Sequence, residues 1–135
     1  MQNRGFTLTE LIIVLAIIGF LAAIAIPGYI GQQRRAARTE ASTNLQNLRL
    51  LEEQFFSENG TYVGASGVYT ELSTTLQTAL PGFRPGNATD LNYDYSVVSA
   101  ATTFTATATA KPGRRVAGDA NCTIDQNNVR SGPCW

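Results

Sequence analysis

The sequence predicts an α+β chain: a long N-terminal helix, membrane-spanning in its first half and amphipathic in its second, packed on a small antiparallel β-sheet. Three observations carry this prediction. From Leu11 to Gln33 no residue is charged, and at 1.5 Å per helical residue the run is about 35 Å long, enough to cross the roughly 30 Å hydrocarbon core of a bilayer. Ala37, Ala41, Leu45, Leu48, Leu51 and Phe55 then recur every three or four residues, the spacing of one buried helical face. Further on the period falls to two. Leu91, Tyr93, Tyr95 and Val97 alternate with polar residues, and Phe104, Ala106, Ala108 and Ala110 alternate with Thr103, Thr105, Thr107 and Thr109, which reads as a hairpin turning near Ser99-Ala100.

Taken in order, Thr7-Leu8-Thr9-Glu10 is a capping box that opens the helix, with Thr7 accepting from the Glu10 N–H while the Glu10 carboxylate reaches back to the Thr7 N–H. Pro27-Gly28 and Gly31 weaken the backbone ladder between the two halves, since Pro removes a donor and each Gly costs about 1 kcal/mol against Ala. Asn59-Gly60 supplies the stop. From there to Arg84-Pro85-Gly86 the pattern is irregular, with a short helix carrying Leu72, Leu76 and Leu80 on one face. The nearly all-Ala face of the second hairpin strand has little bulk, so the sheet can approach the helix closely. A third short strand falls around Cys122-Thr123-Ile124-Asp125, followed by a turn at Asn127-Asn128.

Composition excludes several classes of function. The soluble portion is residues 34–135, room for one small domain. Ten basic residues balance ten acidic ones, so no basic excess argues for nucleic acid, and Lys111-Pro112-Gly113-Arg114-Arg115 lacks the interleaved aromatics of a base-stacking surface. The chain contains no His, which removes the usual general base and the commonest metal ligand. No enzyme, cofactor or metal site is expected. Cys122 and Cys134 can be a zinc pair, free thiols or a disulfide. Zinc needs further ligands that the chain lacks, and a disulfide closing that loop would contribute about 3 kcal/mol in the chain-entropy model.

The residues ahead of the apolar run identify the class. Arg4-Gly5 followed by Phe6-Thr7-Leu8-Thr9-Glu10-Leu11-Ile12 puts a short basic leader before the apolar region, whereas an ordinary secretory signal ends its apolar region with a small-residue cleavage site. Ala22, Ala23 and Ala25 offer such a site late in the run, which keeps an ordinary signal as an alternative. The stretch resembles the leader and start of a type IV prepilin (class III), a likeness that also extends to the pseudopilins of secretion machines. Gly19, Pro27 and Tyr29 fall where pilins carry a glycine, a helix-loosening proline and an aromatic; the resemblance is strong over residues 4–60.

That resemblance implies a leader at residues 1–5, cut between Gly5 and Phe6 by a membrane prepilin peptidase that also N-methylates Phe6. It implies a transmembrane and filament-core helix at 6–33, loosened at Gly19, Pro27 and Gly28, and an extracytoplasmic pilin head at 34–135. Partners are then the other pilin subunits, the peptidase/methyltransferase, the inner-membrane assembly machinery and the membrane itself, with no nucleic acid. Methylation keeps the amine charged, so Glu10 becomes its partner in a low-dielectric core, either in the next subunit or within one chain, where Phe6 and Glu10 are i and i+4. The expected function is a pilus subunit for adhesion, motility or DNA uptake. A type II secretion pseudopilin and a membrane-anchored binding module are the alternatives.

Topology is contested within the sequence. Arg34, Arg35 and Arg38 after the span outweigh Arg4 before it and draw the C-terminal side toward the cytoplasm. The Cys pair, suited to an oxidising compartment, and the cytoplasmic leader of the family point the other way. The arginines are expected either to meet acids on a neighbouring subunit or to form a solvated helix face.

Overall fold

The computed structural model describes residues 6–135. Among the described residues there are seven elements: α1 (Leu8–Asn59), β1 (Gly67–Tyr69), α2 (Thr75–Ala79), β2 (Tyr93–Ser99), β3 (Phe104–Ala110), β4 (Cys122–Asp125) and β5 (Arg130–Ser131). Contacts divide it into two compact units, split between Gln33 and Arg34.

In the first unit α1 is one continuous helix through Pro27. Its apolar side chains stand open, with Phe20 69% and Ile30 62% exposed. A Cβ added at Gly19, Gly28 or Gly31 would meet nothing within 4 Å. A surface this apolar over this length is unstable in water, so it requires a bilayer or other protein surfaces around it.

In the second unit the rest of α1 buries Ala37, Ala41, Leu45, Leu48 and Glu52. The predicted stripe is correct through Leu48 and then shifts, because Leu51 and Phe55 are only partly buried and the fifth core position belongs to an acid. The helix stops at Asn59, where Gly60 takes φ +70°, the left-handed conformation that Gly adopts without steric cost.

The five strands form an antiparallel meander in the order β1-β2-β3-β4-β5. Tyr95 pairs with Ala108 and Val97 with Ala106 on one side of β3, while Ala106 pairs with Ile124 and Ala108 with Cys122 on the other. The small methyl groups of β3 are thus flanked on both sides by larger side chains that fill the layer, and Ala106, Ala108, Tyr93 and Ile124 are fully buried. The hairpin is as expected except at its start. Leu91 is buried but precedes the strand, which begins at Tyr93.

The predicted short helix also needs correction. Helix α2 is Thr75–Ala79 and buries Leu76, with Leu80 buried just beyond it, but Leu72 lies outside the helix and is 98% exposed. Gly67 explains how α2 comes to lie on β1: a Cβ there would sit 2.6 Å from the Leu76 Cα, so only glycine permits the approach. The two strands not foreseen, β1 and β5, have three and two residues, too few for alternation to register.

Candidate functional site

At the N-terminal end the capping box forms as expected. The Thr7 N–H and Thr7 hydroxyl donate to Glu10 Oε2 at 2.9 and 2.7 Å, and the Glu10 N–H donates to Thr7 Oγ1 at 3.3 Å. Both bonds to the carboxylate fall on one oxygen, whereas a carboxylate offers about four lone-pair sites. Capping therefore leaves Glu10 with acceptor capacity for a cation. Phe6, the proposed methylation site, is 82% exposed. Gly5, on the other side of the proposed cut, lies outside the described residues.

At the start of the second unit, the arginines after the apolar run are held within the chain. Asp119 accepts from Arg34 Nη2 at 2.9 Å and from Arg38 through Nε and Nη2 at 2.8 and 3.0 Å. This corrects the expectation for Arg34 and Arg38, whose acid is on their own β3–β4 loop and not on a neighbouring subunit; Arg35 is exposed. The hydrogen bond from Arg38 holds the Asp119 carboxyl below its ordinary range, because it favours the charged form. The brace ties the first turns of the head helix to the sheet. Asp119→Asn is expected to speed amide hydrogen exchange over residues 34–41 while residues 45–50 keep their protection, a pattern that residue-resolved exchange of the full chain in detergent will show.

Lys111 is a second tie. Its buried ammonium lies 3.1 Å from Glu71 Oε1 and 3.4 Å from Asp94 Oδ1, and it donates to the Ala88 carbonyl. Arg114 reaches the Thr89 carbonyl and, at 3.8 Å, Glu71. Two cations of the basic turn are thus engaged within the head, which removes much of the charge that a nucleic-acid surface needs.

Cys122 and Cys134 form a disulfide with Cα atoms 6.0 Å apart. Trp135 lies beyond it, its indole N–H donating to the Ser131 carbonyl and its ring under the Arg130 guanidinium at 4.8 Å.

Glu52 is the residue that sequence reasoning missed. Its side chain is fully buried, and among the described residues neither carboxylate oxygen has a hydrogen-bond partner. Burial, reinforced by the nearby Glu53, raises its pKa from 4.5 to about 7, since desolvation disfavours the charged form. The signal was in the spacing: 37, 41, 45, 48 and 52 continue one face, while the hydrophobic residues at 51 and 55 drew attention away from it.

An exposed apolar N-terminal helix with an acid at its mouth and a disulfide-stapled α+β head define a pilin-like fold. Residues 27–124 match a family described as "Type IV minor pilin ComP, DNA uptake sequence receptor", and residues 1–26 match the prokaryotic N-terminal methylation motif. Among similar proteins, the type IV major pilin protein PilA of Myxococcus xanthus is 57% identical over 61 residues, 45% of this chain and 28% of that protein. The type IV wide pilus major component PilA4 of Thermus thermophilus is 32% identical over 74% of this chain and 68% of that protein. The type II secretion system core protein G of Pectobacterium carotovorum is 31% identical over 45% of this chain. No solved structure matches. The chain belongs to the type IV pilin family, though it matches little more than a quarter of the Myxococcus protein's length.

Proposed function

We propose that the chain is a structural subunit, cut between Gly5 and Phe6, N-methylated at Phe6 and assembled through residues 6–33 into a surface filament. The leader at 1–5 stays in the cytoplasm, the head at 34–135 lies outside it, and Gly19, Pro27 and Gly28 give the helix room to deform during its transfer from the bilayer. Its partners are other pilins, the prepilin peptidase and the inner-membrane assembly machinery. The observation that carries this reading is Glu10, a capped carboxylate with spare acceptor capacity at the entrance to an exposed apolar helix, inside a matched methylation motif. The role is not enzymatic. Adhesion and motility are the uses that suit such a filament.

The mass of the native N-terminus is the test. A chain beginning at N-methylated Phe6 is expected, and Gly5→Val should leave the full-length precursor in the membrane. An intact Met1, or a chain cut after Ala25, supports a membrane-anchored or secreted binding module. A second reading, DNA uptake, is favoured by the matched family, whose description names a DNA uptake sequence receptor. Binding of duplex DNA that weakens steeply with salt would support it, although the engaged Lys111 and Arg114 leave it less charge to work with.

A further inference from the structure

We infer that Lys111 and Asp94 become joined by an amide bond, a covalent staple between β2 and the end of β3 that the head forms by itself from side chains already in place. The inference is independent of the filament reading above.

The Lys111 side chain is 6% exposed. It follows β3 directly, and its backbone N–H donates to the Asn92 carbonyl at 3.0 Å. Since Asp94 pairs with Thr109, Asp94 and Lys111 are diagonal neighbours on one face of the hairpin, a separation that a long side chain spans. The ammonium donates to Glu71 Oε1 at 3.1 Å and to the Ala88 carbonyl, yet Asp94 Oδ1, only 3.4 Å away, accepts no hydrogen bond from it. That oxygen is buried and has no other partner among the described residues.

A structural ion pair accounts poorly for this arrangement. Such a pair offsets its desolvation only when hydrogen bonds satisfy the charges, and here a buried acceptor is orphaned at contact distance from a donor. Condensation removes both faults at once. Nζ bonds to Asp94 Cγ, the Cγ–Oδ1 bond breaks, and the orphaned oxygen leaves as water, so that an ammonium and a carboxylate become one neutral amide. The three protons of the ammonium suffice, because one stays on the amide nitrogen and two depart with the water. Glu71 is placed to carry those two in turn, and it ends as the carboxylate it was at the start.

The fold supplies what the reaction needs. Amide formation is unfavourable between free groups in water, but holding amine and carboxyl in contact replaces a bimolecular step with a unimolecular one, at effective molarities of about 10⁵–10⁸ M. Glu71 is positioned by the turn around it, in which Thr70 Oγ1 accepts from the Leu72 and Ser73 N–H groups at 3.2 and 3.1 Å. A cavity lined by Thr70, Glu71, Asp94 and Pro112 opens beside the ammonium, and Glu71 is half-exposed, so the departing water has an exit.

The mass of the full chain, purified from cells that make it, is the test. It should fall short by one water once the N-terminus and the disulfide are allowed for, whereas Lys111→Arg, which keeps the cation but lacks the amine, should have its full mass. Chymotrypsin cuts after Tyr93 and Tyr95, so Asp94-Tyr95 should be found attached through its side chain to the peptide that contains Lys111. Asp94→Ala should abolish the link. Glu71→Gln keeps the contact but not the proton relay, and should slow joining by about a hundredfold, leaving freshly made chain at full mass. A parent chain at full mass, with the two peptides separate, overturns the staple. A link from Lys111 to Glu71 overturns the choice of Asp94, and joining at the parent's rate in Glu71→Gln overturns the relay.

Discussion

Glu10→Gln is expected to be inserted and cleaved normally yet nearly excluded from fibres. The capping box tolerates the change, since Gln serves at that position as Glu does and its one oxygen can still accept from Thr7. A filament core does not tolerate it. In the proposed filament core the Phe6 amine, cationic after the proposed methylation, would find no compensating charge in an amide, and a lone ion in surroundings of low dielectric is costly. The loss recurs at every subunit added. Abundance in sheared fibres relative to the membrane pool should fall by roughly an order of magnitude or more. Unchanged incorporation would confine Glu10 to capping its own helix.

The largest effect on stability is expected at Glu52, and its sign runs against that of most carboxylates. A folded-state pKa raised from 4.5 to about 7 means that the folded head binds the proton more tightly than the unfolded chain. The head is then most stable, as far as this group is concerned, below pH 4.5, and the advantage drains away as pH rises through 7. The difference corresponds to about 3 kcal/mol. Asp119 behaves oppositely, because its depressed pKa gives stability that is lost only as the pH falls below 3.8. Glu52→Gln should therefore flatten the decline in thermal stability between pH 5 and 8 and raise the midpoint at pH 8 by roughly 10 °C. Calorimetry of the full chain in detergent at several pH values is the measurement. A variant with the parent's pH profile would show that Glu52 ionises without cost in the folded head.

Much of this was legible in the residues because the determining interactions are local or periodic. Thr7 and Glu10 are three residues apart, and the box formed. The alternation of Tyr93, Tyr95 and Val97 and of Phe104, Ala106 and Ala108 marked the buried faces of two strands that do pair as a hairpin. Asn59-Gly60 ended the helix where it was expected to end. What could not be read was long-range and polar. Nothing near Arg34 and Arg38 in sequence points to Asp119, more than eighty residues on, and Lys111 gathers groups from three separate segments. Leu72 was misplaced for a related reason. Its spacing to Leu76 and Leu80 suits a helix, but the Thr70 hydroxyl captures the Leu72 and Ser73 amides and starts the chain as a turn, a competition between side chain and backbone that periodicity does not register.

The disulfide between Cys122 and Cys134 closes a covalent ring near the chain's end, and the ring encloses Val129 and Arg130, both exposed. A protease that cuts anywhere inside it opens a loop but detaches nothing, since both new ends stay tethered through sulfur. In the proposed surface fibre, damage at this site would cost a local contour and not a subunit.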